Sequence, residues 1–203
     1  MKMIVQLEDT TSGEILYEGE DITKLKGEKL RQNRRHIQMV FQDAIGSFNP
    51  RFTIEESIME YVCNLCSTTE ADKKHKVDNL LRMVGLSKEY KYRYPHELSG
   101  GQCQRAAIAR ALSAQPKILV CDEATSALDV SVQAQIVELL KEMQEKMNIS
   151  YLFITHDLAL VSSFCDRVAV MKNGKVVEVG EAKEVINNPQ HEYTKLLIQS
   201  AYL

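Results

Sequence analysis

The sequence predicts an α/β protein, a mainly parallel sheet with flanking helices and an inserted helical segment. Three observations predict it. KILVC (residues 117–121) and SYLFIT (150–155) are continuous apolar runs without exposed alternation, as in strands buried on both faces. Between them Val132, Ile136, Val137, Leu140, Met143 and Met147 recur at helical spacing, so strand, helix and strand form a βαβ unit. Residues 53–85 carry helical periodicity of their own, with a polar break at 67–72, and sit between two strand-bearing parts of the chain.

The elements before this core are shorter. Residues 1–7 read as the end of a helix already under way, because no N-cap residue precedes their apolar positions. Residues 10–13 form a turn. GEILYEGEDI alternates and turns at Gly19, as an antiparallel pair does. Residues 24–35 hold Lys24, Lys26, Lys29, Arg31, Arg34 and Arg35. They read as a solvated helix face, since no aromatic residue lies among them to stack a base. HIQMVF (36–41) is a short strand followed by the loop AIGSFNPRF, punctuated by Gly46 and Pro50.

Thr53 and Glu56 form a capping box, and VDNLLRMVGL ends a second helix at Gly85. LSGGQCQRAAIARAL opens on two glycines, continues as an alanine-rich helix and breaks at Pro116. RVAVMKNGKVVEVG is a hairpin turning at Asn173-Gly174, and the rest from Glu181 is helical with a break at Pro189.

The chain has 203 residues, 44% hydrophobic and 26% charged, enough for one substantial core. A net charge of −3 gives no argument for nucleic acid. No apolar run approaches the ~20 residues of a membrane span. Five cysteines, one inside the KILVC strand, point to a reducing compartment. Cys63 and Cys66 form a lone CxxC without a second ligand pair, so they read as two small residues on one helix face.

The chemistry gathers between Leu98 and Asp129. A glycine-started helix is an anion site, and a buried strand ending in Asp122 and Glu123 offers a metal ligand and a group to orient or deprotonate a water. A strand ending in Asp-Glu is by itself a weak signal. The surroundings strengthen it. Phe-Gln-Asp (41–43) ends an earlier strand, LSGGQ (98–102) opens a helix, Ser-Ala-Leu-Asp (126–129) follows the two acids, and Thr-His-Asp (155–157) follows the next strand.

These stations, in this order, resemble the ATP-binding-cassette (ABC) ATPases along essentially the whole chain. The resemblance implies a P-loop NTPase-like core over residues 1–203 with a helical subdomain at 52–115. It implies that Gln42 is the Q-loop glutamine at Mg²⁺ and the attacking water, Asp122 the Walker B aspartate that binds Mg²⁺, and Glu123 the catalytic base. Ser99, Gly100, Gly101 and Gln102 match the signature that reaches the γ-phosphate of ATP held by the opposite subunit. Asp129 matches the D-loop aspartate at the dimer interface, and His156 the histidine at the γ-phosphate. Cys103 stands where the family often has a basic or amide residue, and its side chain is expected outside the phosphate contacts.

FQDAIGSFNPR, CDEATSALDVSVQAQI and NPQHEYTKLLIQS further resemble ATP-binding subunits of oligopeptide and dipeptide importers, with nickel importers as close relatives. This implies ATP and Mg²⁺ as cofactors, and as partners a second ABC ATPase subunit, two transmembrane permease subunits and, indirectly, an extracytoplasmic solute-binding protein, with no nucleic acid. The implied location is the cytoplasmic face of the cell membrane, peripherally.

One family element is not in the sequence. A P-loop, GxxxxGK[ST], holds the β- and γ-phosphates. Of the nine glycines only Gly174 precedes a lysine, and Val176 follows that lysine. In the family the P-loop opens a helix that runs into a segment like residues 3–7, so the first strands and the P-loop are expected to be missing, as after a displaced start, a frameshift or in a fragment. The expected results are weak ATP binding at the Asp122–Glu123 pocket, an unpaired apolar edge beside the strand of Asp122, and poor solubility or a loosened fold. The main functional expectation is the energy-coupling ATPase of a peptide importer. The alternatives are a non-catalytic partner supplying only the signature half-site in a heterodimer, or an inactive gene fragment. A soluble ABC protein of DNA repair or translation is disfavoured by the importer-like tail and the absence of coiled-coil sequence.

Overall fold

A computed structural model describes residues 2–65, 70–125 and 128–201. The chain divides into two compact units, Met1–Ile154 and Thr155–Leu203. The paired cysteines Cys63 and Cys66, and Ser126 with Ala127 of the SALD station, lie outside the residues whose side chains are described.

The first unit opens with a turn. Leu7 N–H donates to the Lys2 carbonyl at 2.9 Å and Gln6 N–H to the Met3 carbonyl at 3.1 Å, with Gln6 at φ 54°. This six-to-one and five-to-two pairing around a left-handed residue is the closing geometry of a helix end. Over residues 2–7 the expected helix end takes the form of this closing turn. Strands β1 (Leu16–Tyr17) and β2 (Glu20–Asp21) then pair antiparallel, and α1 (Gly27–His36) follows.

The core sheet has three parallel strands, β3 (Ile37–Val40), β4 (Ile118–Asp122) and β5 (Ser150–Ile154), in the order β3-β4-β5. Leu119, Val120 and Cys121 of the central strand are fully buried, which explains an apolar run without alternation. One sheet face closes on Val5 and Ile22 through Ile37, Met39 and Val120.

The unpaired edge expected beside the strand of Asp122 is not found. β3 bonds β4 in register Val40 to Cys121, and β5 bonds its other side in register Asp122 to Ile154. The crossover helix returns the chain directly alongside β4, and so fills both of its hydrogen-bonding edges.

Between β3 and β4 run α2 (Ile54–Leu65), α3 (Glu70–Met83) and α4 (Gly100–Leu112). The Thr53 capping box forms as expected, with Thr53 N–H to Glu56 Oε2 at 2.7 Å and Glu56 N–H to Thr53 Oγ1 at 3.2 Å. Ile54, Ile58 and Val62 on α2, Val77 and Leu81 on α3, and Ile108 and Leu112 on α4 are all fully buried at helical spacing. Helix α5 (Val130–Met147) connects β4 to β5 and buries Ile136, Leu139, Leu140 and Met143. It stops at Asn148 in the left-handed region, φ 52°.

The second unit holds α6 (Leu158–Phe164), the hairpin β6 (Arg167–Lys172) and β7 (Lys175–Glu181), α7 (Ala182–Asn187) and α8 (Glu192–Ala201). The hairpin turns at Asn173 and Gly174, φ 50° and 75°, as the Asn-Gly pair demands. Its small core is Val161, Ala182 and Ile186, with Cys165 and Val168 packed against them.

Candidate functional site

The site grows from the carboxyl ends of two neighbouring strands. Asp122 is the last residue of β4 and half-buried. Glu123, one step beyond, takes φ 45°, a left-handed conformation in which its N–H still reaches the Ile154 carbonyl at 3.0 Å. A side chain on a left-handed backbone is strained by its Cβ. The turn gives Glu123 a different direction from the strand it ends. Because Val40 pairs with Cys121, Gln42 comes level with Glu123 across the ladder. Gln42 Nε2 donates to Glu123 Oε2 at 2.7 Å, a charge-assisted bond between residues 81 positions apart.

This pairing orients the Gln42 amide, with its nitrogen pole toward Glu123. The Gln42 amide oxygen and the half-buried Asp122 carboxylate are both hard oxygens, the donor type that suits Mg²⁺. Among the described residues no group of three or more His, Cys, Asp or Glu converges as a protein-only metal cage.

Two helix starts supply the remaining stations of this unit. Ser99 caps α4, its Oγ accepting from Gln102 N–H at 3.3 Å while Gln102 Oε1 accepts from Ser99 N–H at 3.0 Å. Gln102 Nε2 also donates to the Tyr90 hydroxyl at 2.9 Å, and the Arg93 guanidinium lies 4.8 Å from the Tyr90 ring centre. Gly100 and Gly101 are therefore the first-turn amides of a capped helix, where the dipole favours an anion. Asp129 caps α5, accepting from Val132 N–H at 3.0 Å and from the Ser131 hydroxyl at 2.6 Å. These bonds hold its carboxyl below the ordinary aspartate range.

The two helix starts touch. A Cβ on Gly101 would stand 2.6 Å from Val132 Cγ1, whereas one on Gly100 would meet Leu128 at an ordinary 3.8 Å. The second glycine is thus required by close packing of α4 on α5, a reason separate from phosphate approach. Cys103 is buried, and burial pushes its thiol up to about 11.

His156 belongs to the second unit, beyond the end of β5. It precedes Asp157, the cap of α6, which accepts from Ala159 and Leu160 N–H at 2.8 and 3.1 Å.

Sequence reasoning missed Arg110. It lies on the buried side of α4, 8% exposed, with Nη1 donating to the Ser47 carbonyl at 2.7 Å and Nη2 to Ser47 Oγ at 2.9 Å. Its guanidinium sits 4.2 Å from the Phe48 ring centre and 5.4 Å from that of Tyr61. Burial works against its charge and lowers its pKa. The available signal was a cation among the alanines of a helix too apolar to be solvated there. Arg105 is a second case, bridging the Val84 carbonyl at 2.8 Å and Gln135 Oε1 at 2.9 Å.

Comparison with known proteins gives a consistent picture. The family described as "ABC transporter" matches residues 1–126. The dipeptide transport ATP-binding protein DppF of Lactococcus lactis is 48% identical over 202 residues, covering 98% of this chain and 65% of that protein. The oligopeptide transport ATP-binding protein OppF of Bacillus subtilis is 45% identical over 201 residues, covering 98% and 66%. The chain thus spans just under two thirds of the length of these two relatives. Among solved structures, cbiO1 of Clostridium perfringens, part of the ABC transporter complex cbiONQ, superposes with a TM-score of 0.81 at 32% identity, covering 92% of this chain and 73% of that one. The dimeric ATP-binding cassette MJ0796 bound to ADP and Pi gives 0.79 at 29% identity, covering 89% and 78%.

Proposed function

This chain belongs to the ABC transporter family, and from that premise we propose that it is an ATP-binding, energy-coupling subunit of an oligopeptide or dipeptide importer. The observation that carries the reading is the 2.7 Å bond from Gln42 to Glu123 at the ends of adjacent parallel strands. It supports Glu123 as the base that takes a proton from the attacking water, with Gln42 holding its carboxylate in place. Asp122 and the Gln42 oxygen are the Mg²⁺ ligands. When bound, that ion neutralises charge on the phosphates. Ser99, Gly100, Gly101 and Gln102 face the γ-phosphate of a nucleotide held by a second ATP-binding subunit, Asp129 lies at that subunit's interface, and His156 contacts the γ-phosphate.

The relatives named as dipeptide and oligopeptide transport proteins support peptides as the solute. Among the described residues no helix is long and apolar enough to cross a membrane. The likeness to ATP-binding subunits of transporters supports a peripheral location on the cytoplasmic face, docked on two permease subunits served by a solute-binding protein.

The test is reconstitution with a permease pair and a second ATP-binding subunit in liposomes. ATP turnover and uptake of a labelled dipeptide or oligopeptide should both require this chain. Turnover that is the same without it sinks the reading, and uptake of nickel instead of peptide sinks its solute class.

A further inference from the structure

We propose that Arg110 is a positioning residue that ties the start of α4 to the Gln42–Glu123 pair through the loop at residues 43–48. The proposal rests on the functional reading above only in calling that pair part of an ATPase site.

The loop is a self-braced unit. Gly46 N–H donates to Asp43 Oδ1 at 2.9 Å, Ser47 N–H to the Asp43 carbonyl at 3.1 Å, and the Ser47 hydroxyl to the Ala44 carbonyl at 2.7 Å. Phe48 and Ala44 are buried beneath it. Arg110 grips this unit at Ser47, taking both its carbonyl and its hydroxyl in one fork, while Phe48 and Tyr61 flank the guanidinium. The Ser47 hydroxyl therefore accepts from Arg110 and donates to Ala44, which lies two residues from Gln42. The Ser47 N–H, donating to the Asp43 carbonyl, carries the connection from Ser47 to the residue next to Gln42.

At its other end α4 begins at Ser99, with Gly101 packed on Val132 beside the Asp129 cap. Eleven residues of helix, about 16 Å, separate Ser99 from Arg110. A helix transmits displacement as a rigid body, so a shift imposed on its start by an anion or a neighbouring subunit arrives at Ser47 and moves Gln42 relative to Glu123. A buried guanidinium on backbone and hydroxyl acceptors suits this task, since it holds position without a carboxylate that would compete with the site.

The experiment uses the full chain labelled with ¹⁵N. The Gln42 side-chain amide signal, identified by its loss in Gln42→Ala, is held away from those of other glutamines by donation to Glu123. Arg110→Lys keeps the charge but cannot fork onto both Ser47 acceptors. It should move the Gln42 signal toward the free-glutamine position and raise amide exchange at residues 46–48 about tenfold, while β4 amides keep their protection. Ser47→Ala, which leaves α4 untouched, should do the same to a smaller degree. An unmoved Gln42 signal in folded Arg110→Lys overturns the proposal; if that variant does not fold, an unmoved signal in Ser47→Ala does so. In the reconstituted complex Arg110→Lys should lower kcat about tenfold at unchanged KM for ATP, and a raised KM at unchanged kcat overturns positioning. A complex without turnover even with the unaltered chain refutes the functional reading instead, and the Gln42 signal still decides the role of Arg110.

Discussion

Gln42 and Glu123 meet at 2.7 Å although 81 residues separate them. The contact exists because β3 and β4 are paired in parallel at Val40 and Cys121, and because Glu123 leaves its strand through a left-handed residue. Strand register and one strained backbone position together set the geometry of the proposed base.

That strain gives a first prediction. Glycine adopts φ 45° without the Cβ clash, so Glu123→Gly should stabilise the chain by about 1 kcal/mol. The same change removes the carboxylate and should reduce turnover of the reconstituted complex ~100-fold or more. Calorimetry and an ATPase assay check the pair. A loss of stability would show that the carboxylate contributes more to folding than the backbone costs.

The two signature glycines should separate folding from nucleotide contact. Gly100→Asp meets only an ordinary contact with Leu128, and a carboxylate at a helix start favours the dipole, so thermal stability should hold while ATP-dependent turnover is lost. Gly101→Ala drives a methyl into Val132 and should cost about 1–3 kcal/mol, a few degrees in Tm for each. Equal Tm values for the two variants would contradict the packing argument.

Asp129 gives a pH dependence with a defined sign. Its carboxyl lies below the ordinary aspartate value because Ser131 and Val132 donate to it. A depressed carboxylate stabilises fully above the unfolded value of about 4 and loses that contribution as pH falls through the lower folded value. Asp129→Asn retains an accepting oxygen but not the titration. The gap in urea midpoint between the two proteins should be constant near neutrality and shrink below pH 4.

The buried thiols should be silent. Cys103 is pushed up to about 11 and Cys121 is raised further, both by burial. At pH 8 neither carries appreciable thiolate, which is the reactive form. N-ethylmaleimide followed by peptide mass spectrometry should leave both unmodified in the folded chain and modify both in urea. Rapid labelling of Cys121 would show that β4 is not the buried centre of the sheet.

Much of this protein is determined by its sequence alone. The strand of Asp122, the crossover helix to β5, the Thr53 capping box and the Asn173-Gly174 hairpin were all readable, because each rests on interactions within a few residues or on the burial pattern of one segment. The order of the stations Gln42, Ser99, Asp122 and His156 was readable for the same reason. Tertiary structure decided the rest. It closed β5 onto the edge of β4 that was expected to be bare, made Gly101 a packing residue through Val132, and joined Arg110 to Ser47, 63 positions away. Each of these joins segments whose meeting depends on how the whole sheet and its helices close. No local period or cap encodes such a meeting, so side chains that look ordinary in their own segment acquire their roles only when the chain folds.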